Sequence, residues 1–136
     1  MKSALITGVG GQDGSYLAEL LLAKGYQVHG TVLPSEYENP KNCLWRLADI
    51  MDQIELYPIN IENFTGMKNL IEKLQPDECY HLAASSFVSY SFEDEFSVFE
   101  TNLDGTHQLL AAFKEKAPDC KIYFAASSEI FGNPTE

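Results

Sequence analysis

A glycine-rich segment near the start of the chain has the residue types and spacing of a phosphate-binding loop. Gly8, Gly11 and Gly14 follow the pattern GxxGxxG, directly after an apolar segment and at the start of a helical one. Glycine permits a tight turn and lets the backbone approach a pyrophosphate closely. The N–H groups and positive dipole of the helix N-terminus then attract the phosphates. The pattern predicts a nucleotide-cofactor site at Gly8, Gly11, Gln12, Asp13 and Gly14.

A second candidate site lies near the other end of the chain, where two hydroxyl side chains precede a carboxylate. Ser127, Ser128 and Glu129 follow an apolar segment with the pattern of a strand. A serine there can hydrogen-bond a substrate hydroxyl that is oxidised, and a glutamate can remove a proton alpha to the resulting ketone. The same residues also suit a helix cap with an acid in the first turn. We predict Ser127 and Glu129 as catalytic and Ser128 as substrate-binding, and spacing alone leaves both interpretations open.

Small and polar residues follow two further predicted strands. Asn60 comes after the third strand, where its amide can either meet an adenine edge or shape a turn. Ala83 and Ala84 end the fourth strand, and their small side chains let the backbone approach the second ribose of a dinucleotide. We predict these three residues as cofactor-binding, and the following Ser85 and Ser86 as substrate-binding.

The end of the second predicted strand bears on the choice of cofactor. An acid there would bind the adenosine 2′-hydroxyl of NAD, and a base would accept the 2′-phosphate of NADP. The strand ends at Leu33 and Pro34, with Glu36 the nearest acid and Arg46 the nearest arginine. We expect both charged side chains to be solvated surface residues. The sequence therefore leaves NAD and NADP as alternatives.

An alternation of strands and helices must position these residues. The predicted strands cover 4–7, 26–33, 54–59, 78–83 and 121–126, and the predicted helices cover 13–24, 64–74 and a long segment ending before Pro118. This order predicts an α/β fold with a doubly wound, Rossmann-like parallel sheet. We expect five strands in the order 3-2-1-4-5, with helices on both faces. Ligands of such sheets bind beyond the carboxyl ends of the strands, where the candidate residues lie.

Two further predictions concern the long helix and the segment before the third strand. The long helix carries an apolar stripe, which predicts packing on the sheet and leaves a helix–helix dimer face as the alternative. Its members are Phe92, Phe96, Phe99, Leu103, Thr106, Leu110 and Phe113. In the irregular segment 35–52, residues 43–48 are interpreted as a helix, and the alternative is a surface excursion with a packed Trp45.

Composition excludes several classes of function. Nine Lys and Arg against 20 Asp and Glu give a net charge of −11 over 136 residues, which disfavours nucleic-acid binding and anionic membranes. No apolar segment approaches the ~20 residues of a membrane span, and we identify no signal peptide. Three scattered cysteines without a CxxC pair predict reduced, mostly buried thiols in a cytoplasmic protein, with no metal site.

Taken together, the motifs resemble the extended short-chain dehydrogenase/reductase family, and within it the GDP-mannose 4,6-dehydratases. The string QDGSYL that begins at Gln12 is more specific to these dehydratases than the glycines are. The resemblance spans essentially the whole chain. Other matching segments are the YHLAA of 80–84, Thr101 and Asn102 with Gly105 and Thr106, and SSE of 127–129 with Gly132.

This resemblance implies a bound NAD or NADP and a nucleotide-sugar substrate, with GDP-mannose the best match. It implies hydride removal from C4 of the hexose, loss of water across C5–C6 and hydride return to C6. Ser127 would contact the sugar and Glu129 would act at C5. The alternatives are another nucleotide-sugar epimerase, dehydratase or decarboxylase, or a non-catalytic nucleotide-binding module.

The chain also departs from the family pattern. Leu33 and Pro34 replace an arginine pair, and Asn60 replaces an aspartate. The family's Tyr-x-x-x-Lys pair is expected beyond residue 136, since Tyr37 and Lys41 have that spacing but Pro40 interrupts their helix. We therefore expect residues 1–136 to be an N-terminal NAD(P)-binding domain without its C-terminal substrate domain. It should be inactive alone, and the full-length protein should form a homo-oligomer.

Overall fold

Five parallel strands form the sheet of the computed structural model, which describes residues 1–84, 100–126 and 132. Their spatial order is β3-β2-β1-β4-β5, which confirms the predicted order and the doubly wound topology. The chain moves outward from β1 to β3 and then returns to place β4 beside β1. The strands are β1 Ser3–Thr7, β2 Gln27–Val32, β3 Glu55–Pro58, β4 Glu78–His81 and β5 Lys121–Phe124.

Helices connect the strands on both sides of the sheet. Asn63 caps the helix before β4, since its Oδ1 accepts the N–H of Gly66 at 3.0 Å. That helix has the bounds the sequence predicts. The helices are α1 Gln12–Ala23, α2 Pro34–Glu38, α3 Pro40–Cys43, α4 Phe64–Leu74 and α5 Thr106–Lys116, with a 3-10 turn at Trp45–Leu47 and a π-helical segment at Glu100–Gly105.

Two apolar layers, one on each face of the sheet, hold the helices in place. Alternation along β1 explains the division, because Ala4 and Ile6 point to one face and Leu5 to the other. The first layer joins β1 and β2 to α1 and the segment before β3, and the second joins β1 and β4 to α4 and α5. Buried members of the first include Val9, Ala18, Leu21, Val28, Leu44 and Leu47; those of the second include Met67, Ile71, Cys79, Leu109, Ala112 and Phe113.

The apolar stripe predicted for the long helix is wrong in phase over the part that the structure describes. Phe113 is buried as expected, but Leu103 and Leu110 are exposed, and Leu109 and Ala112 face the sheet instead. The π-helical segment before α5 contains more residues per turn, so a regular 3.6-residue period drawn through it loses register. Phe92, Phe96 and Phe99 lie outside the described residues.

Trp45 is not packed as the surface-excursion interpretation expected. Its side chain is 59% exposed, and the Arg46 guanidinium carbon lies 4.5 Å from the centre of its ring. Leu44 and Leu47, on either side, are buried instead and anchor the segment to the core. The cysteine expectation is also only partly right, because Cys43 is exposed while Cys79 is buried.

Candidate nucleotide-cofactor site

A cavity of about 750 Å³ lies at the carboxyl ends of the strands. It is centred at the neighbouring strands β1 and β4, where the two halves of the sheet meet. Doubly wound folds bind their ligands at this position. All eight residues predicted to bind a cofactor line it, namely Gly8, Gly11, Gln12, Asp13, Gly14, Asn60, Ala83 and Ala84. The other predicted site residues, Ser85, Ser86, Ser127, Ser128 and Glu129, lie outside the described residues.

The glycine loop is packed so closely that side chains are excluded from it. Gly8 has a φ of +70°, and a Cβ there would lie 2.9 Å from the Cα of Ala83. A Cβ on Gly14 would lie 2.5 Å from the carbonyl oxygen of Gly8 and 2.8 Å from the Cα of Val9. Both approaches are to backbone atoms, which cannot rotate aside. The loop is therefore a bare backbone cradle beside the strand ends.

Helix α1 begins directly in this cradle. Gly11 is its N-cap, and no side chain caps the helix, so the first N–H groups remain open toward the cavity. The N–H of Ser15 donates to the carbonyl of Gly11 at 3.0 Å, which starts the helical ladder. Gly11, Gln12 and Asp13 are exposed. Open N–H groups at the positive end of a 12-residue helix fit a pyrophosphate.

A buried polar chain holds the β1 and β4 ends together beneath the cradle. The Thr7 hydroxyl lies 2.7 Å from Nδ1 of His81, and Nε2 of His81 lies 2.8 Å from the Thr106 hydroxyl. Thr7 Oγ1 also accepts the N–H groups of Leu82 and Ala83, each at 3.1 Å. The Thr7 hydroxyl proton is thus left for Nδ1, and the Nε2–H donates to Thr106.

This arrangement requires a neutral imidazole. His81 is 2% exposed, and burial lowers its pKa to about 4. The sequence pattern alone did not reveal the hydrogen-bond partners of His81. The available signal was the strand register, because Thr7 and His81 are directly paired across β1 and β4.

Asn60 forms a turn at the end of β3. Its Oδ1 accepts the backbone N–H of Glu62 at 3.2 Å, and its Nδ2 lies 3.4 Å from the Glu62 carboxylate. Turn formation, one of the two roles weighed for this residue, is therefore present. Because Asn60 also lines the cavity, the turn fixes a polar side chain at the cavity wall.

The charges around the cavity are negative. Asp13, Glu36 and Glu62 contribute carboxylates, and none of the described residues in its wall is Lys or Arg. Glu36 is not the solvated surface residue that the sequence interpretation expected. It is half-buried in the wall, and its Oε2 accepts the N–H of Leu33 at 2.8 Å. Arg46 is exposed, as expected.

The described part of the chain has neither a metal-binding cluster nor a membrane-spanning helix. No group of three or more His, Cys, Asp or Glu side chains is arranged there to hold a metal ion. No helix in those ranges is long and apolar enough to cross a membrane.

The sequence model of the GDP-mannose 4,6 dehydratase family matches residues 5–136. The chain belongs to this family. It is 40% identical to the GDP-mannose 4,6-dehydratase of Yersinia enterocolitica over 97% of its own length and 37% of that protein's length. The first three curated relatives are covered over 37%, 24% and 36% of their lengths, so the chain spans about a third of the proteins it matches.

Solved structures agree with this fold. The UDP-Glc/GlcNAc 4-epimerase of Campylobacter jejuni superposes with a TM-score of 0.85 over all of this chain and 40% of that one, at 21% identity. The Bordetella bronchiseptica enzyme WbmH in complex with NAD+ superposes with a TM-score of 0.70 at 31% identity, over 85% of this chain and 36% of that one.

Tyr37 and Lys41 have the Tyr-x-x-x-Lys spacing, but they do not lie on one helix. Tyr37 lies in α2 and Lys41 in α3, and the helix is interrupted between them at Asn39. The two side chains therefore do not share one face of a continuous helix. This agrees with the expectation that Pro40 interrupts it.

Proposed function

We propose that residues 1–136 are the N-terminal NAD(P)-binding part of a nucleotide-sugar dehydratase that acts on GDP-mannose. The observation that carries the proposal is the bare glycine cradle facing the cavity at the switch point of the sheet, in a chain of this family. The name of the 40% identical relative supports the substrate, and the NAD+ bound to WbmH supports the cofactor.

Several residues that line the cavity have roles in this function. The open N–H groups at Gln12 and Asp13 bind the pyrophosphate, and Asn60 contacts the adenine edge. Ala83 and Ala84 leave room for the second ribose. Bound NAD(P)+ supplies reversible hydride transfer, first from C4 of the hexose and then to C6.

The residues after β5 would act on the sugar. Ser127 hydrogen-bonds the hydroxyl at C4 and orients it. Glu129 removes the proton at C5, which the C4 ketone makes acidic, and water is lost across C5–C6. Ser85, Ser86 and Ser128 hold the hexose. Since the three cysteines form no disulfide, a reducing, cytoplasmic compartment is part of the proposal.

The test uses the product of the complete reading frame. Incubation with GDP-mannose and NADP+ or NAD+ should give a product lighter by one water in mass spectrometry. Glu129→Gln should abolish dehydration and the exchange of the C5 proton with solvent, while cofactor affinity stays unchanged. Glu19→Gln, an exposed position on α1, is the matched control and should keep full turnover. Recovery of intact GDP-mannose from the wild-type protein would overturn the substrate assignment.

A second candidate is the same cofactor chemistry on a different nucleotide sugar. The fold shared with the Campylobacter jejuni 4-epimerase favours it. A panel of GDP- and UDP-sugars separates the two, because only one nucleotide should give turnover. Cofactor binding without turnover of any sugar would instead favour a non-catalytic nucleotide-binding module.

A further inference from the structure

The Glu36 carboxylate occupies a fixed place at the end of β2. Helix α2 begins at Pro34, immediately after the strand, and turns the chain so that Glu36 points back toward Leu33. Its Oε2 accepts the N–H of Leu33 at 2.8 Å, and the N–H of Glu36 donates to the Leu33 carbonyl at 3.0 Å. These two bonds hold the carboxylate against the cavity wall rather than in solvent.

The position of Glu36 along the chain is also informative. In dinucleotide-binding folds, the acid that binds the adenosine ribose lies about 20 residues beyond the glycine loop. Glu36 lies 36 − 14 = 22 residues beyond Gly14. Among the described residues, no hydrogen bond reaches its Oε1. One carboxylate oxygen is thus engaged by the backbone and the other can accept from a hydroxyl.

The surrounding charges oppose an additional phosphate. Asp13 and Glu62 lie in the same cavity wall as Glu36, and none of the described residues in that wall is cationic. Lys41 and Arg46, the next two bases along the chain, are both exposed, and the Arg46 guanidinium lies over the Trp45 ring. A 2′-phosphate beside Glu36 would meet its carboxylate and find no cation among the described wall residues, whereas a 2′-hydroxyl can donate to that carboxylate.

We propose that Glu36 binds the adenosine 2′-hydroxyl and selects NAD against NADP. The inference rests on the proposed function, since it assumes a dinucleotide in this cavity. It assigns the cofactor preference to a residue in the first turn of α2 rather than to the last residue of β2.

Calorimetric titration of the 136-residue chain with NAD+ and with NADP+ tests the proposal. A hydrogen bond to a charged group is worth about 1.5–3 kcal/mol, so NAD+ should bind roughly ten- to hundredfold more tightly. Glu36→Gln should reduce this ratio several-fold, since its amide oxygen still caps Leu33 while the charge is lost. Leu33→Arg should raise affinity for NADP+. Glu38→Gln, the same charge change on the exposed end of α2, should leave the ratio unchanged.

Smaller probes localise the effect to the adenosine end. 5′-AMP should compete with NAD+ for the wild-type chain, and adenosine 2′,5′-bisphosphate should compete poorly until Leu33→Arg is introduced. Equal or tighter binding of NADP+ by the wild type, or an unchanged ratio in Glu36→Gln, would overturn this inference alone. Binding of neither dinucleotide would overturn the proposed function as well.

Discussion

Substituting Gly8 by alanine should reduce both stability and cofactor affinity, because the added methyl group is unfavourable for two separate reasons. The first is the backbone conformation, since φ is +70° and an L-residue with a Cβ pays about 1–2 kcal/mol in the left-handed region. The second is contact, because the new Cβ would lie 2.9 Å from the Ala83 Cα and 3.0 Å from its backbone nitrogen. Ordinary contact begins near 3.4 Å, so the end of β4 must move by about 0.5 Å.

Gly25 is the matched control for this substitution. It has a φ of +78°, but a Cβ there would meet nothing within 4 Å. Gly25→Ala should therefore cost only the conformational term of about 1–2 kcal/mol. Gly8→Ala adds an overpacking cost of typically 1–3 kcal/mol, so its total should be about 2–5 kcal/mol. The difference between the two variants isolates the contact with Ala83.

Urea unfolding followed by circular dichroism gives both free energies of unfolding, and NAD+ titration gives the affinities. Gly8→Ala should lose at least about tenfold in NAD+ affinity, because Ala83 and the loop both line the cavity. Gly25→Ala, at the far end of α1, should bind like wild type. If Gly8→Ala destabilises no more than Gly25→Ala, the close approach of the two strand ends is refuted.

Three further perturbations test other parts of the structure. Burial lowers the pKa of His81 from 6.5 to about 4, so the unfolded state binds a proton at a higher pH than the folded state does. The free energy of unfolding should therefore fall by at most about 3 kcal/mol as the pH drops from 6.5 toward 4. His81→Gln should reduce the dependence of the free energy of unfolding on pH in this range, measured by urea unfolding. An unchanged dependence would contradict this prediction. Ala126 has a φ of +56°, so Ala126→Gly should raise the free energy of unfolding by about 1 kcal/mol, whereas Ala125→Gly should not. Ile122 lies on β5, an edge strand of the described sheet, and edge strands can pair with a second chain. Ile122→Lys should therefore reduce self-association in sedimentation velocity, while Leu20→Lys on α1 should not. A wild-type chain that stays monomeric at high concentration would contradict this prediction.

The parts of the fold that depend on local patterns were predictable from the sequence. The glycine spacing identified the loop, and the helix predicted at 64–74 has the bounds observed for α4. The strand order followed from general rules on α/β connections. The phase of α5 was not predictable, because the π-helical segment before it leaves no mark in an apolar pattern.

Long-range side-chain contacts account for the rest. Thr7, His81 and Thr106 are far apart in the chain, and only the strand register and the packing of α5 bring them into one hydrogen-bonded chain. Glu36 was assigned to the surface because the sequence shows no acid at the end of β2. The tight turn into α2, which returns its carboxylate to Leu33, is visible only in three dimensions.

The net charge of −11 and an anionic ligand are compatible because the cradle uses no charged side chain. Its attraction comes from backbone N–H groups and the dipole of α1, which act over the first turn only. A surface rich in Lys and Arg would attract many anions at long range, and salt would screen that attraction strongly. A backbone cradle surrounded by carboxylates instead repels anions that do not fit it. Selectivity for one dinucleotide can therefore arise from close fit at Gly8 and Gly14, together with the negative wall that contains Glu36.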